Sequence, residues 1–330
     1  MKLAILGTGM IVQDLMKTID RLPLQKMVLL ARERSREKAE KLAKEYHFSG
    51  IFYDYDQLLE SDIDTVYVAL PNHLHYAFAR KALEAGKHVI IEKPITADYD
   101  ELMSLKKIAE ERHLMIFEAM SVVHMPAYQK VREAISSLGR IRIISLNYSQ
   151  YSSRYDRFRN GIILPVFDPH QAGGALMDLN IYNISFITGL FGKPSGVHYH
   201  ANIDRGIDTS GIVMLDYPDF EAAAIAAKDC RAPMICTIQG DEACLQAHGS
   251  VNGMTSFDVI RNDGSVSSYH DNSGSHRLLY EFLDFIQAID TGDYAYMEHL
   301  LAESCIVSGV MNDARNDAGI IFDNDLNLHC

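Results

Sequence analysis

The chain has no run of basic residues: 31 lysines and arginines stand against 44 aspartates and glutamates, a formal net charge of −13. Its densest basic stretch, 32–44, is interrupted by Glu33, Glu37 and Glu40, the pattern of a solvated helix. That excludes nucleic acid and anionic membrane surfaces as partners held by phosphate contacts. No apolar stretch reaches the roughly 18 residues of a membrane span. Cysteines are few and odd in number (Cys230, Cys236, Cys244, Cys305 and Cys330), with no Cys-x-x-Cys pair. They read as reduced thiols, not as a disulfide framework or a zinc site. No basic and apolar leader precedes the strand-like opening Lys2–Leu6, so a cytoplasmic protein is expected. Internal repeats and low-complexity linkers are also missing.

What is present points to two domains. A chain of 330 residues is too long for one average core, and 48% hydrophobic with 23% charged residues is ordinary for a globular enzyme. Up to residue 120, short apolar runs at 3–6, 27–31, 50–53, 65–69, 88–91 and 115–118 alternate with helical patterns at 10–21, 35–46, 55–60, 73–85 and 98–112. Such alternation predicts right-handed crossovers and a doubly wound parallel sheet, a Rossmann-type α/β domain over 1–120. Beyond 120 the rhythm changes. A helix at 127–137 leads into strands at 141–151, 197–203, 210–215, 222–227, 234–239, 243–248, 256–260 and 266–269. Strands in succession predict an α+β domain over 121–330 with a large, mostly antiparallel open sheet. Helices at 175–189, 276–291 and 298–313 would cover one face of it.

Gly7-Thr8-Gly9-Met10-Ile11 follows the first strand and opens the first helix. Glycine at 7 permits a tight turn and glycine at 9 lets the backbone approach a pyrophosphate, while the helix start offers amide donors. Val12 stands where the fingerprint has its third glycine. At the end of the second strand an NAD enzyme usually carries an acidic residue for the ribose hydroxyls. Here stand Ala31 and Arg32, a small neutral residue and a cation, which suit a 2′-phosphate and favour NADP over NAD. Glu33 would still serve a hydroxyl in a shifted register, and the arginines also fit the solvated start of a helix.

Ligands in open α/β sheets bind beyond the carboxyl ends of the strands. The fourth strand ends in Leu70, Pro71, Asn72, His73, Leu74 and His75, and the fifth in Glu92, Lys93 and Pro94. His73 and His75 invite a metal, yet no third ligand lies near in sequence and no metal is expected. Lys93 sits between an apolar strand and a proline. Two readings stand: a desolvated functional lysine, or one paired with Glu92 or a neighbouring helix. The Lys93–Pro94 bond is placed for a cis peptide. In the second domain Asp178 and Tyr182 lie four apart on an expected helix and so share a face. Gly173 and Gly174 just before them would let backbone approach a ligand.

Four motifs together, Gly-Thr-Gly-Met-Ile at 7–11, Pro71-Asn72-His73-Leu74-His75, Glu92-Lys93-Pro94 and the segment 173–182 ending in Tyr182, resemble the glucose–fructose oxidoreductase/inositol dehydrogenase (Gfo/Idh/MocA) family. The resemblance runs over essentially the whole chain. It implies reversible hydride transfer between NAD(P) and a sugar, polyol or related alcohol, with the open sheet of the second domain joining dimers or tetramers. It makes Lys93 the catalytic lysine and matches Asp178 to the family's aspartate. Many members carry histidine where this chain has Tyr182. That variant, like the Ala31–Arg32 pair, is similar to the dimeric dihydrodiol dehydrogenase and xylose dehydrogenase branch, which is largely NADP-dependent. Asn180 departs from the glycine usual in the motif. Gly7, Thr8, Gly9, Met10, Ile11, Ala31, Arg32, Leu70, Pro71, Asn72, His75, Glu92 and Lys93 become the expected cofactor-binding set. Tyr182 would be the acid/base, with Lys93 polarising the substrate oxygen, or Lys93 itself would carry the proton. Two other functions belong to the same scaffold: a cofactor-binding regulator without turnover, and an NAD-dependent glycosidase. Arg154, Tyr155, Arg157, Phe158 and Arg159 read equally as a substrate lid or a surface turn.

Overall fold

A computed structural model describes residues 1–322, so Cys330 lies outside the described residues. The described residues divide into two compact units, 1–119 with 275–305, and 120–274 with the residues from 306 on.

In the first unit, β1 (Lys2–Leu6), β2 (Lys26–Leu30), β3 (Gly50–Phe52), β4 (Thr65–Val68), β5 (His88–Glu92) and β6 (Ile116–Ala119) form one sheet in the order β3-β2-β1-β4-β5-β6. Every pairing in it is parallel. The middles of the strands are largely apolar because helices cover both faces: Ile5, Val66, Ile90 and Ile116 are all fully buried. The order reverses between β1 and β4, and a crevice opens at the carboxyl ends of strands where that happens. The first helix stops at Met16, earlier than the expected 21, and Ile19–Arg21 form a separate 3-10 turn. The Thr18 hydroxyl donates to the Leu15 carbonyl at 2.9 Å, an alternative to continuing the helix.

Two assignments change. The helix Tyr294–Asp317, expected at 298–313 over the second sheet, puts Met297 and Leu301 into the first unit's core. The helix Arg277–Thr291 was expected over the second sheet, but it packs into the first unit's core through Leu278, Leu279, Phe282 and Phe285. The Phe282 ring meets Tyr67 edge-on at 5.0 Å and Phe285 lies 4.9 Å from Phe117. Its apolar stripe reads the same whichever core receives it, so periodicity alone did not place it.

The second unit is built on eight strands: β7 (Ile141–Ser149), β8 (Gly196–Asp204), β9 (Ile207–Asp216), β10 (Glu221–Ala227), β11 (Ile235–Gly240), β12 (Ala243–His248), β13 (Ser256–Arg261) and β14 (Val266–His270). Their order is β14-β13-β12-β11-β7-β10-β9-β8. Only β7 and β10 pair in parallel; the rest of the sheet is antiparallel. One face, with Leu146, Ala224, Val213 and Ile238, is buried. A π-helical turn, Leu176–Asn180, and the helix Ile181–Phe191 lie against β10. Asn180 is fully buried and its amide donates to the Ala224 carbonyl at 2.9 Å, so this departure from glycine ties the π turn to the sheet. The register places Ile143, Ile212 and Ile235 together on the other face, where they are 40–50% exposed.

Candidate active site

In the first unit the phosphate loop is shaped by contacts to β4. Gly7 has φ +103°, and a Cβ there would meet the Ala69 carbonyl oxygen at 2.9 Å, so only glycine makes this turn. A Cβ on Gly9 would meet nothing within 4 Å, and Gly9 caps the helix without a side-chain bond. A cavity of about 530 Å³ opens over this loop, lined by Gly7, Thr8, Gly9, Ala31, Arg32 and Leu70 among others. It suits a dinucleotide, with glycine backbone and cationic side chains both in its lining. Ser35 and Lys38, which the sequence reading did not select, line it too, beside Arg32 and Pro71. Glu33, the residue kept open for a ribose hydroxyl, is held by the Arg36 guanidinium at 2.8 and 2.9 Å. Arg36 in turn lies 4.1 Å over the Tyr53 ring. Met10 is 64% exposed and Ile11 packs against the core.

The turn carrying Lys93 is anchored on several sides. The Tyr67 hydroxyl donates to the Glu92 carboxylate. The Ile95 amide donates to Glu118 Oε1 at 2.9 Å. His75 is fully buried, with Nδ1 2.8 Å from the Pro94 carbonyl and Nε2 2.8 Å from the Leu70 carbonyl. His75 was expected in the cofactor-binding set. Both its ring nitrogens face backbone carbonyls, so it ties the loop after β4 to the loop after β5. Burial holds its pKa below the usual value, and a neutral ring donates to one carbonyl at a time. The Lys93–Pro94 peptide is cis, as expected.

Beneath this turn three carboxyl groups are buried together. Glu92, Glu118 and Glu281 are 8%, 7% and 0% exposed. Neither oxygen of Glu281 has a hydrogen-bond partner, and burial followed by the charge of Glu92 pushes its pKa well above the ordinary range. Burial raises Glu118 to about 7 against hydrogen bonds from Ser304 and Ile95. Glu92 is raised by burial as well, and the Lys93 charge works against that shift. Sequence reading singled out neither Glu118 nor Glu281, because each is an isolated acid within an apolar segment.

In the second unit Asp178 lies in the π turn and Tyr182 one turn further along the helix. The expected four-residue spacing on one regular helix is thus interrupted by a wider turn, a deviation frequent at functional sites. Tyr182 is buried, its ring 6.1 Å from that of Tyr148. Asp178 accepts from Lys228 Nζ at 2.5 Å. Lys228 was missed because it lies 50 residues away, at the end of β10.

Gly173 and Gly174 do not act as expected. A Cβ at Gly173 would fall 2.7 Å from the Pro165 carbonyl oxygen, and one at Gly174, whose φ is +106°, 2.0 Å from Asp208 Oδ1. Both glycines make room for the protein itself. Asp208 accepts from the Leu176 amide at 2.6 Å and from the Tyr199 hydroxyl at 2.7 Å, fixing the start of the turn. In the segment 154–159, Phe158 is fully buried and stacks on Phe167 at 4.8 Å. Among the described residues no group of His, Cys, Asp and Glu could hold a metal, and no helix is long and apolar enough to cross a membrane.

A Rossmann sheet with a glycine phosphate loop at its switch point, followed by a second α/β unit, defines a dinucleotide-dependent oxidoreductase. Residues 1–120 match the model of the oxidoreductase family with NAD-binding Rossmann fold, and residues 128–246 match the GFO/IDH/MocA C-terminal domain. The chain belongs to the GFO/IDH/MocA family and transfers hydride between a nicotinamide dinucleotide and an alcohol or carbonyl group. It is 29% identical to the scyllo-inositol 2-dehydrogenase (NADP(+)) IolU of Bacillus subtilis, over 88% of this chain and 89% of that one. It is 27% identical to D-xylose 1-dehydrogenase (NADP(+)) 2 of Haloferax volcanii, over 89% and 90%. Among solved structures, KijD10, a 3-ketoreductase from Actinomadura kijaniata in complex with NADP and TDP-benzene, superposes with a TM-score of 0.81 at 20% identity, covering 96% and 97%.

Proposed function

We propose that this chain is an NADP-dependent dehydrogenase or reductase of a sugar or polyol, with Lys93, Asp178 and Tyr182 as its catalytic residues. The observation that carries the cofactor preference is the lining of the nucleotide cavity, where Ala31 leaves room beside Arg32 and Lys38. Glu33, the carboxylate next in sequence to Arg32, is bound to Arg36. A cationic rim favours a 2′-phosphate. The NADP named for the xylose and inositol dehydrogenases agrees with it.

When bound, the nicotinamide supplies the hydride donor or acceptor. The protein's part is the proton and the orientation. The Tyr182 hydroxyl gives a proton to the reduced oxygen or takes one from the alcohol. Lys93 donates to a substrate oxygen and favours the charge that develops there. Asp178 accepts a hydrogen bond from a substrate hydroxyl and orients it.

The test is oxidation and reduction with NADP(H) and NAD(H) across a panel including D-xylose and scyllo-inositol. Lys93→Met is expected to lower kcat at least ~100-fold at saturating NADPH. Near-normal turnover in that variant would overturn the assignment. Tyr182→Phe assigns the proton: a loss of similar size places it on Tyr182, and a small loss places it on Lys93. The exposed Ile143, Ile212 and Ile235 support a homodimer or homotetramer joined through the second sheet. Sedimentation of the wild type and of Ile212→Asp checks it, with dissociation of the variant expected. A cytoplasmic location is proposed with it, and fractionation of the source cells tests that.

A further inference from the structure

We infer that Lys228 is a positioning residue for the reaction: it holds the Asp178 carboxylate as a fixed acceptor for a substrate hydroxyl. The inference rests on the reading of Asp178 given above. Lys228 follows the last residue of β10, and its backbone is tied on both sides. Its amide donates to the Thr209 carbonyl at 2.8 Å, and its carbonyl accepts from the Ser152 amide at 2.8 Å. The ammonium therefore arises from a rigid strand end. It donates to Asp178 Oδ2 at 2.5 Å and lies 5.1 Å from the centre of the Phe167 ring.

The two partners differ in their exposure to water. The Lys228 side chain is 3% exposed and that of Asp178 is 38% exposed. A buried ammonium is costly to the fold unless it is paired. Here the cation forms the inner half of the pair and the carboxylate its accessible half. A carboxylate held this way keeps its charge and orientation, so it receives a hydroxyl donor without first being ordered. Proton transfer stays with Tyr182 or Lys93, and Asp178 serves orientation. The charge of Lys228 also reaches Asp208, which pins the start of the π turn. One ammonium thus acts on both the turn's anchor and its accessible carboxylate.

The test is steady-state kinetics with NADP(H) and whichever panel substrate gives the highest kcat/KM. Lys228→Met is expected to raise the substrate KM at least ~10-fold while kcat changes less than ~3-fold, the mark of lost substrate positioning. Lys228→Arg, which keeps a cation, is expected to recover most of that KM. Asp178→Asn should raise KM similarly, and Lys228→Met/Asp178→Asn should be no worse than the worse single variant, because the two residues act as one unit. The double variant also buries no unpaired charge, so it stays measurable if Lys228→Met alone fails to fold. A KM within ~2-fold of wild type in Lys228→Met, or single effects that multiply, would overturn the inference. Wild-type turnover lost only in Lys93→Met, with Lys228→Met unaffected, would remove this inference and leave the proposed function standing. No wild-type turnover on any substrate would remove both.

Discussion

Each unit holds a functional turn by the same device, a buried carboxylate that accepts a backbone amide, yet the two settings differ. In the first unit Glu118 takes the Ile95 amide at 2.9 Å and fixes the turn after Lys93. In the second, Asp208 takes the Leu176 amide at 2.6 Å and fixes the turn before Asp178. Asp208 has the Tyr199 hydroxyl as a second donor, the field of Lys228, and a glycine pressed against it. Glu118 has Ser304 as a further donor but sits in the field of another carboxylate, Glu92. A cation acts on each anchor, Lys228 on Asp208 and Lys93 on Glu118, and Glu118 carries the added burden of like charge from Glu92. Burial raises the pKa of both carboxyls, so both should respond to pH, and the second-unit anchor, with a glycine pressed against it, should also be sensitive to packing.

The largest effect is expected where packing is tightest. In Gly174→Ala the new methyl would overlap Asp208 at a φ of +106°, which a side chain rarely adopts. A loss on the order of 4 kcal/mol in urea unfolding is expected from strain and overlap together. Asp208→Ala relieves the overlap but leaves the Leu176 amide and Tyr199 hydroxyl without their acceptor, for about 3 kcal/mol. If Gly174→Ala unfolds like the wild type, Asp208 is not the anchor described.

The pH response comes next. Glu118 titrates at about 7 in the folded chain, above the ordinary glutamate value of 4.5. Below the lower value both states are protonated and the group contributes nothing. As pH rises from 4.5 to 7 the unfolded chain ionises first, so stability falls, by about 3 kcal/mol once both states are ionised. Glu92, Glu281 and Asp208 are shifted the same way, so the clean measurement is a difference. Subtracting the unfolding free energy of wild type from that of Glu118→Gln should give a value that rises through this window and levels above pH 7. A flat difference would show that Glu118 is no more burdened than an exposed carboxylate.

Much of this was legible in the sequence. All fourteen strands were found within a few residues of their ends, because buried parallel strands and alternating antiparallel ones leave clear patterns. The largest error was β9, expected from 210 but beginning at Ile207. Asp208 and Thr209 are polar, yet both are buried: Asp208 Oδ2 accepts from the Leu176 amide and the Tyr199 hydroxyl, and the Thr209 hydroxyl donates to Asp229. The anchors were not legible for the same reason. Glu118, Asp208 and Lys228 are single charges in apolar strands or at their ends. A sequence does not show which distant group will neutralise them. The lysine at 93 was found because a proline and a phosphate-loop domain surround it. Lys228 had no such neighbours.

The smallest expected effect concerns a position outside both anchors. Gly9 has φ −71°, which any residue adopts, and a Cβ there meets nothing within 4 Å. Gly9→Ala should therefore leave the melting temperature of the cofactor-free protein unchanged, in contrast to Gly174→Ala. If Gly9 is glycine so that a pyrophosphate can approach the backbone, the same methyl should weaken NADPH binding about tenfold, or about 1.4 kcal/mol, in a fluorescence titration. Gly7→Ala is the matched control. Its methyl would meet the Ala69 carbonyl oxygen at 2.9 Å, so it should lower the melting temperature before any cofactor is added. Equal NADPH affinity in Gly9→Ala and wild type would mean that glycine at 9 is not what lets a pyrophosphate approach the backbone. The first unit would then lose the feature that separates a ligand loop from a packing turn.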